Sequence, residues 1–140
     1  MDENVLEIRD FQGEGYQPLI DYETWRVAIL RYLDELHPEK IASAERHMAT
    51  DEVFVLLRGK GVLILGGNAM QVDEIIPQPM QPGILYNVKC GAWHTILLSP
   101  GASVLLVENR DTSRGNSEYI ALSRDQRQAL QAVAQQYGFG

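Results

Sequence analysis

Residues 45–59 read ERHMATDEVFVLLRG, and residues 91–94 read GAWH. The first stretch sets Glu45 and His47 two positions apart, a spacing that places both side chains on one face of a strand. The second stretch supplies His94, and one further histidine lies outside both stretches. If the protein has a chemical centre, we expect it where His47 and His94 meet.

An apolar run follows the imidazole of the first stretch. Residues 49–51 predict a turn, because Thr and Asp side chains hydrogen-bond their own backbone there. Residues 52–57 form a β-branched and aromatic run that ends at residues 58–61, RGKG, where glycine permits the positive φ of a tight turn. A second apolar run, residues 62–65, stops at residues 66–68, GGN. The pattern predicts a hairpin with carboxylates and an imidazole at its entrance.

The first stretch resembles the first motif of the cupin superfamily. That motif runs Gly, five residues, His-X-His, three or four residues, Glu, six residues, Gly. Glu45 stands where the first His belongs, and His47 matches the second. Glu52 and Gly59 match the later positions, whereas Glu39 stands in place of the opening Gly.

The second stretch resembles the second cupin motif, which runs Gly, five residues, Pro-X-Gly, two residues, His, three residues, Asn. Gly83, Gly91 and His94 match this motif, while Lys89 replaces the Pro and Leu98 replaces the Asn. The resemblance covers about two-thirds of the chain. It implies an all-β, single-domain cupin fold, a double-stranded β-helix or jelly-roll barrel, and it also implies a homodimer.

Within that superfamily, two short segments look most like the ureidoglycolate lyase branch. They are Glu45-Arg46-His47 and Gly91-X-Trp93-His94. That branch carries a similar Glu-Arg-His before a strand and a later Gly-X-Trp-His. The resemblance implies cleavage of a small hydroxy-acid urea adduct to glyoxylate and urea.

Composition narrows the class of protein. The chain has 140 residues and a net charge of −7, with 45% hydrophobic and 22% charged residues, which is ordinary for a soluble globular domain. The acidic balance argues against nucleic acid and anionic membranes as partners. One cysteine, Cys90, excludes an intramolecular disulfide. The acidic start without a long apolar run indicates no signal peptide, so we expect a cytoplasmic protein with a small-molecule ligand.

We expect one domain over residues 1–140, made of an N-terminal strand and loop (1–22), a barrel (23–121) and a helix (123–137). Short strands separated by turn signals are typical of a closed or sandwiched β-barrel. Residues 25–33 fit either a strand or a helix, and their composition favours a strand. Strands are predicted at residues 5–8, 25–33, 41–48, 52–57, 62–65, 70–76, 84–88, 93–98, 103–108 and 119–121, and loops at residues 13–18 and 77–83.

The chain ends in a predicted helix. Ser123 is the expected N-cap and Gln126 occupies the third helical position, the pattern of a capping box. Leu130 and Ala134 belong to one apolar stripe, and Gly138 would stop the helix. We expect this helix to pack on the outside of the barrel.

The candidate site suits a divalent metal. Imidazole and carboxylate together form mixed nitrogen and oxygen sites, and the predicted ligands are Glu45, His47, Glu52 and His94. Strand parity puts Glu45 and His47 on one face, and His94 would face them across the barrel. The metal would be Mn, Fe, Ni or Zn, with Glu45 favouring Mn or Fe(II) over copper. His47 and Glu52 are the candidate catalytic residues.

Three further residues are candidates for binding a substrate. Tyr86 would donate a hydrogen bond, Arg58 would reach an anionic group, and Trp93 would line the pocket mouth. Each also has a structural interpretation, because Tyr86 and Trp93 fit barrel packing and Arg58 fits a solvated position beside the turn. Glu45 likewise fits a surface carboxylate paired with Arg46 or Lys40.

Three functions are compatible with these features. The first is a metal-dependent lyase, isomerase or oxygenase that acts on a small acid or sugar. The second is a metal-free isomerase or epimerase in which His47 acts as acid and base. The third is a non-catalytic module that binds a sugar or an organic acid.

Overall fold

The computed structural model describes residues 2–139, which form two five-stranded antiparallel sheets and one C-terminal helix. The first sheet has the strand order β1-β2-β9-β4-β7, and the second has the order β10-β3-β8-β5-β6. This arrangement confirms the predicted all-β class. The elements are β1 (Gly15–Tyr22), β2 (Trp25–Arg31), β3 (Ser43–His47), β4 (Glu52–Arg58), β5 (Gly61–Leu65), β6 (Ile76–Pro79), β7 (Leu85–Val88), β8 (His94–Leu98), β9 (Ser103–Asn109), β10 (Ser117–Ala121) and α1 (Arg124–Gln136).

The main core lies between the two sheets. Strand side chains alternate between the two faces, so every second residue of β4 and β9 points inward. Phe54 and Leu56 of β4 are 3% and 2% exposed, and Val104 and Leu106 of β9 are 0% and 2% exposed. Leu63 of β5 meets them from the second sheet. Any polar residue on these inward series is therefore buried in the sandwich.

A second core lies between the outer face of the second sheet and helix α1. Ser123 caps the helix, and its side chain accepts a hydrogen bond from the Gln126 backbone while Gln126 bonds back, as the capping box predicts. Leu130 and Ala134 are 0% and 1% exposed. Burial of a leucine side chain contributes about 1.5–3 kcal/mol to stability, so this contact holds the helix against the sheet. The predicted helix and its external position are confirmed.

The predicted hairpin between residues 52–57 and 62–65 is wrong, although both strands exist. β4 pairs with β7 and β9, whereas β5 pairs with β6 and β8 in the other sheet. The turn at Gly59 has φ +80° and carries the chain from one sheet to the other. A Cβ at this position would lie 2.6 Å from the Ala102 Cα, so the close approach also requires glycine.

The predicted strand at residues 5–8 is absent, and the first strand is β1, where the sequence predicted a loop. Val5 and Ile8 are 77% and 73% exposed. β1 tolerates Pro18 because it is an edge strand, with a register shift between Pro18 and Ile20. The first sheet therefore begins at Gly15 rather than in the range 23–121.

The predicted strand at residues 70–76 is also wrong, and the strand lies further along, at β6. Pro77 and Pro79 are within β6, which is an edge strand, the position where a missing N–H is tolerated. The remaining predicted strands are confirmed with shifted ends. Within the described part of the chain, no helix combines the length and the apolar character needed to cross a membrane.

Candidate metal centre

The second sheet positions three of the predicted ligands. Glu45 and His47 occupy alternate positions of β3, and both line the cavity between the sheets. His94 is the first residue of β8, the strand beside β3, and its Cα is the register partner of Glu45. The prediction that His94 faces the pair across the barrel is therefore wrong. The residue is a lateral neighbour, because β3 and β8 are adjacent in one sheet.

The opposite sheet contributes two carboxylates. Glu52 begins β4 and precedes Phe54 on the inward series, and Glu108 follows Leu106 on the inward series of β9. Both glutamates are 5% exposed. Glu52 was predicted from the sequence as a site residue, and Glu108 was not. The signal was available, because Glu108 interrupts an apolar strand at the spacing of two that marks an inward face.

The imidazoles and Glu52 converge at the centre of the cavity. The Nε2 atom of His47 is 3.2 Å from Glu52 Oε1, and the Nε2 atom of His94 is 3.3 Å from the same oxygen. The two imidazole rings have centroids 5.4 Å apart. Glu45 Oε1 is further away, 4.0 Å from His47 Nε2 and 3.8 Å from His94 Nε2. Two imidazoles distant in sequence thus share one interior cavity with acidic neighbours.

Hydrogen bonds on the far side of each ring fix its orientation. His94 Nδ1 lies 3.0 Å from the Ala92 carbonyl oxygen, which accepts only, so Nδ1 carries the proton. Nε2 of the neutral ring then presents a lone pair to the cavity, and this buried atom has no hydrogen-bond partner among the described residues. His47 Nδ1 lies 2.8 Å from the Ser117 hydroxyl oxygen. Such outer bonds are typical of histidine ligands.

Burial and charge shift the pKa values of the ring nitrogens and of Glu52. Burial is the largest influence on each imidazole and lowers its pKa, but Glu52 raises the pKa by more, so both His47 and His94 lie above the ordinary value. Burial raises the pKa of Glu52, yet its contacts with the two imidazoles outweigh this and lower it to about 2. Glu52 therefore stays ionised.

Glu108 behaves in the opposite way. Burial, followed by the negative charge of Glu52, raises the pKa of Glu108 to about 7. The Tyr16 hydroxyl donates a hydrogen bond to Glu108 Oε1. Burial and the adjacent carboxylate raise the pKa of Tyr16 as well, so this hydroxyl keeps its proton and acts as the donor. Tyr16 was not predicted as a site residue, because it lies in a segment that was predicted to be a loop.

The donor atoms fit a metal ion. Donors on a metal with bonds of about 2.1 Å are about 3.0–3.4 Å apart when the angle at the metal is 90–109°. The separations of 3.2 Å and 3.3 Å from Glu52 to the imidazoles match this range. One donor atom each from Glu45, His47 and His94 lie within 4.8 Å of one another, and the same holds for His47, Glu52 and Glu108.

The cavity around the cluster has a volume of about 540 Å³ and two kinds of wall. Its apolar wall consists of Leu30, Leu33, Leu36, Phe54, Ile96 and Leu106. A second wall carries hydroxyl groups and one guanidinium, from Thr112, Ser113, Arg114, Ser117 and Tyr119. Arg114 stacks over the Tyr119 ring at 5.3 Å. A bound molecule would contact apolar and polar groups together.

The three predicted substrate-binding residues lie outside this cavity lining. Tyr86 lines a different cavity, and its hydroxyl oxygen accepts a hydrogen bond from the Gln81 backbone. Arg58 is exposed at the end of β4 and donates to Gln12. Trp93 is 2% exposed and packs in the outer core beside α1. Their role in substrate binding stays a prediction.

Glu45 forms no ion pair with Arg46 or Lys40, the two partners that its surface interpretation requires. Arg46 forms its ion pair with Glu118 and lies 4.4 Å over the Trp93 ring, on the outer face of the sheet. Lys40 pairs with Asp34. The side chain of Glu45 is 38% exposed and faces the cavity. Its position therefore supports the cavity interpretation over the surface interpretation.

No protein-family model matches the chain, and no curated protein matches it significantly. Solved structures do. A cupin-2 domain protein from Shewanella frigidimarina is 16% identical, with a TM-score of 0.51 over 71% of this chain and 85% of that chain. A variant of Streptomyces Pac13 with uridine is 13% identical, with a TM-score of 0.55 over 80% of this chain and 83% of that chain.

Pac13 is described as a nucleoside dehydratase. A third similar structure is the Fe(II) form of HppE, which is 16% identical, with a TM-score of 0.51 over 67% of this chain and 48% of that chain. At these identities the likeness concerns the fold alone. With two antiparallel sheets, an interior His and Glu cluster and these neighbours, the chain has the cupin fold.

Proposed function

We propose that the cavity binds a divalent metal ion through His47, His94 and Glu52, and that the protein is a metal-dependent enzyme acting on a small polar metabolite. The observation that carries this proposal is the convergence of two buried imidazoles on one buried carboxylate. His47 Nε2 and His94 Nε2 lie 3.2 Å and 3.3 Å from the same oxygen of the ionised Glu52. Neutral imidazoles and a carboxylate all offer lone pairs, so a cation can take the place of a proton between them.

The residues around the ion would have distinct roles. When bound, the ion would polarise a carbonyl or carboxylate group of the metabolite. Glu45 faces the cavity and is placed to accept a proton from the bound molecule. The apolar wall would exclude water from that proton transfer, which strengthens the electrostatic interactions in the cavity.

The metal is tested by elemental analysis of protein purified without a polyhistidine tag. We expect about one ion per chain, either as purified or after anaerobic reconstitution with Mn, Fe, Ni or Zn. Two imidazoles with several carboxylates favour Mn or Fe(II) over copper. Absence of bound metal after reconstitution with all four ions would reject the proposal.

For the substrate, we propose a small organic acid or sugar, with ureidoglycolate first in the assay because of the Glu-Arg-His and Gly-X-Trp-His segments. Arg114 on the polar wall is suited to a carboxylate, since guanidinium binds carboxylates through paired hydrogen bonds. Uridine is the second compound, because Pac13 shares the fold. Turnover by the metal-loaded protein, lost in His94→Ala, is the expected result. Stoichiometric binding without product would favour a non-catalytic binding module.

A metal-free isomerase is the second candidate. His47 bonds Glu52 through Nε2 at 3.2 Å and Ser117 through Nδ1 at 2.8 Å, an arrangement that also suits an acid and base. Such an enzyme would keep its activity after chelation and would lose it in His47→Ala. Full turnover by His47→Ala would exclude this candidate.

The homodimer implied by the resemblance belongs to the same proposal. Ile84 is 48% exposed and Leu85 is 71% exposed, and Leu85 lies on the edge strand β7. Apolar residues on a sheet edge offer surface for a second copy. Sedimentation velocity with wild-type protein and with Leu85→Glu is the test, and a monomeric wild-type protein at micromolar concentration would reject the dimer.

A further inference from the structure

Glu108 is buried at the inner end of β9 without a cationic partner. It is 5% exposed, and no lysine or arginine among residues 2–139 forms an ion pair with it. Its hydrogen-bond partner is the Tyr16 hydroxyl on the edge strand β1. An ionised carboxylate is costly to bury unless it is paired with a charge or coordinates a metal, and otherwise it tends to keep its proton. A metal ion beside Glu108 would allow it to be buried and ionised.

The surroundings of Glu108 contain the same donors that the metal would use. A carboxylate oxygen of Glu108 lies within 4.8 Å of donor atoms of both His47 and Glu52. The ionised Glu52 repels the charge on Glu108. The Nε2 atom of His94 lies 3.3 Å from Glu52 Oε1. A cation between His47, Glu52 and Glu108 would interact favourably with all three groups.

Glu45 competes for the same ion, and the two glutamates differ in burial. The Glu45 side chain is 38% exposed, whereas Glu108 is 5% exposed. Distance does not separate them, because each glutamate has an oxygen within 4.8 Å of two other donor atoms of the cluster. Water can solvate Glu45, whereas the sandwich interior shields Glu108 from water. Burial therefore favours Glu108 as the carboxylate that the ion must neutralise.

We propose that Glu108, oriented by the Tyr16 hydroxyl, is a direct ligand of the divalent ion, and that Glu45 is left facing the bound metabolite. This inference rests on the proposed metal site. Tyr16 is a positioning residue, because it acts through the carboxylate that it holds. Imidazole and carboxylate ligands together form a mixed nitrogen and oxygen donor set, a type of site that Mn²⁺ and Fe²⁺ can occupy.

Mn²⁺ binding tests this ligand directly, without an activity assay. Free Mn²⁺ gives an electron paramagnetic resonance signal that binding suppresses, so the affinity is measured by titration of the full chain. The variants are Glu108→Gln, Glu45→Gln and Tyr16→Phe, with Glu39→Gln as a matched change at an exposed glutamate outside the cavity. Circular dichroism and thermal unfolding establish that each variant is folded.

Glu108→Gln should weaken Mn²⁺ binding by about a hundredfold or more, since partners that only support a ligand are worth about 10- to 100-fold. Tyr16→Phe should weaken it by about tenfold, while Glu45→Gln and Glu39→Gln should change it by less than about threefold. Tyr16→Phe removes the hydroxyl and keeps the aromatic ring. Its Mn²⁺ affinity therefore tests the role of Glu108 if Glu108→Gln does not fold.

The outcomes separate this inference from the proposed function. Wild-type protein that binds none of Mn²⁺, Fe²⁺, Ni²⁺ and Zn²⁺ would overturn both. If the wild-type protein binds Mn²⁺ tightly and Glu108→Gln binds it equally tightly, the role of Glu108 alone is overturned. The same conclusion follows if Glu45→Gln abolishes Mn²⁺ binding instead. If Glu108→Gln is unfolded, unchanged Mn²⁺ affinity in Tyr16→Phe would overturn it.

Discussion

Two cavities of nearly equal volume, about 540 and about 560 Å³, open on opposite sides of the sandwich. The first opens beside the edge strands β1 and β10 and contains the His and Glu cluster. The second opens beside the edge strands β6 and β7, and its interior is formed by Leu63, Leu65, Val88 and Ala92. Its lining also includes polar residues, among them Glu74 and Lys89.

The comparison shows that the fold supplies the space and single residues decide its chemistry. In both cavities strand residues form much of the wall. On the β1 and β10 side, β3, β4, β8 and β9 each place a buried histidine or glutamate in one cluster, and burial perturbs their pKa values. On the other side the strand residues of the lining include Gln78, Tyr86 and Asn87 but no histidine or carboxylate. Volume alone would not distinguish the two cavities.

The largest expected effect is the loss of metal binding when an imidazole of the first cavity is removed. His94→Ala should lower metal affinity by more than about a hundredfold, because even supporting partners of a ligand are worth about 10- to 100-fold. The matched change in the second cavity is Tyr86→Phe, which should leave the affinity unchanged. Isothermal titration calorimetry with Mn²⁺ and Zn²⁺ measures both. If both variants lose metal affinity to the same extent, the metal site is not confined to the first cavity.

The second expected effect is a change in stability on metal removal. An ion at a free concentration of 100 times its dissociation constant stabilises the folded state by about 2.7 kcal/mol. For a chain of this size we expect chelation to lower Tm by about 5–10 °C. Differential scanning calorimetry with and without a chelator measures the change. Tyr86→Phe should keep this sensitivity and His94→Ala should lose it, and a chelation shift that persists in His94→Ala would place the ion elsewhere.

The same contrast explains what the sequence could predict. Four cluster residues were accessible because the cupin-like spacing combined with strand parity: Glu45, His47, Glu52 and His94. The apolar runs also predicted most strands, since a buried strand needs a continuous or alternating apolar pattern. Glu108 was accessible in principle, because it lies two positions after Leu106 on an inward face. Tyr16 was not, because its role depends on a partner 92 positions away.

The wrong predictions concern which strands pair with one another more than which residues form strands. The turn at Gly59 reads the same whether the flanking strands pair with each other or enter different sheets, because the positive φ is local and the pairing is not. Prolines in residues 77–79 predict a loop, yet an edge position accepts them. Residues 5–8 have a strand composition without a partner strand to pair with. Sheet order is a long-range property, and local patterns carry little of it.

A third effect is the dependence of metal binding on pH. The pKa values of His47 and His94 lie above the ordinary value in the metal-free protein, so both rings hold protons up to a higher pH than free imidazole does. The ion needs unprotonated rings, and its apparent affinity should fall as pH decreases. Between pH 8 and pH 6 we expect a loss of at least about tenfold. Affinity that is constant over this range would contradict two imidazole ligands.

The smallest expected effect is a change in stability when Asp51 loses its charge. Asp51 directly precedes Glu52 of the first cavity, and it pairs at 2.8 Å with Lys89, which lines the second cavity. It also accepts hydrogen bonds from the Cys90 backbone at 2.8 Å and from Asn87 at 3.1 Å. The bond from Lys89, followed by the others, lowers the pKa of Asp51 to about 2. The carboxylate thus links the loops before β4 and β8.

The sign of the pH effect follows from the direction of this shift. A pKa lower in the folded chain than in the unfolded chain means that the contact stabilises above about pH 4 and is lost as pH falls towards 2. Asp51→Asn should therefore lower the urea midpoint at pH 6 by a small amount, with the two curves converging near pH 2. Asp111→Asn, at an exposed aspartate, is the control and should leave the midpoint unchanged. If Asp51→Asn follows the wild-type curve at every pH, the contacts of the Asp51 carboxylate do not stabilise the fold.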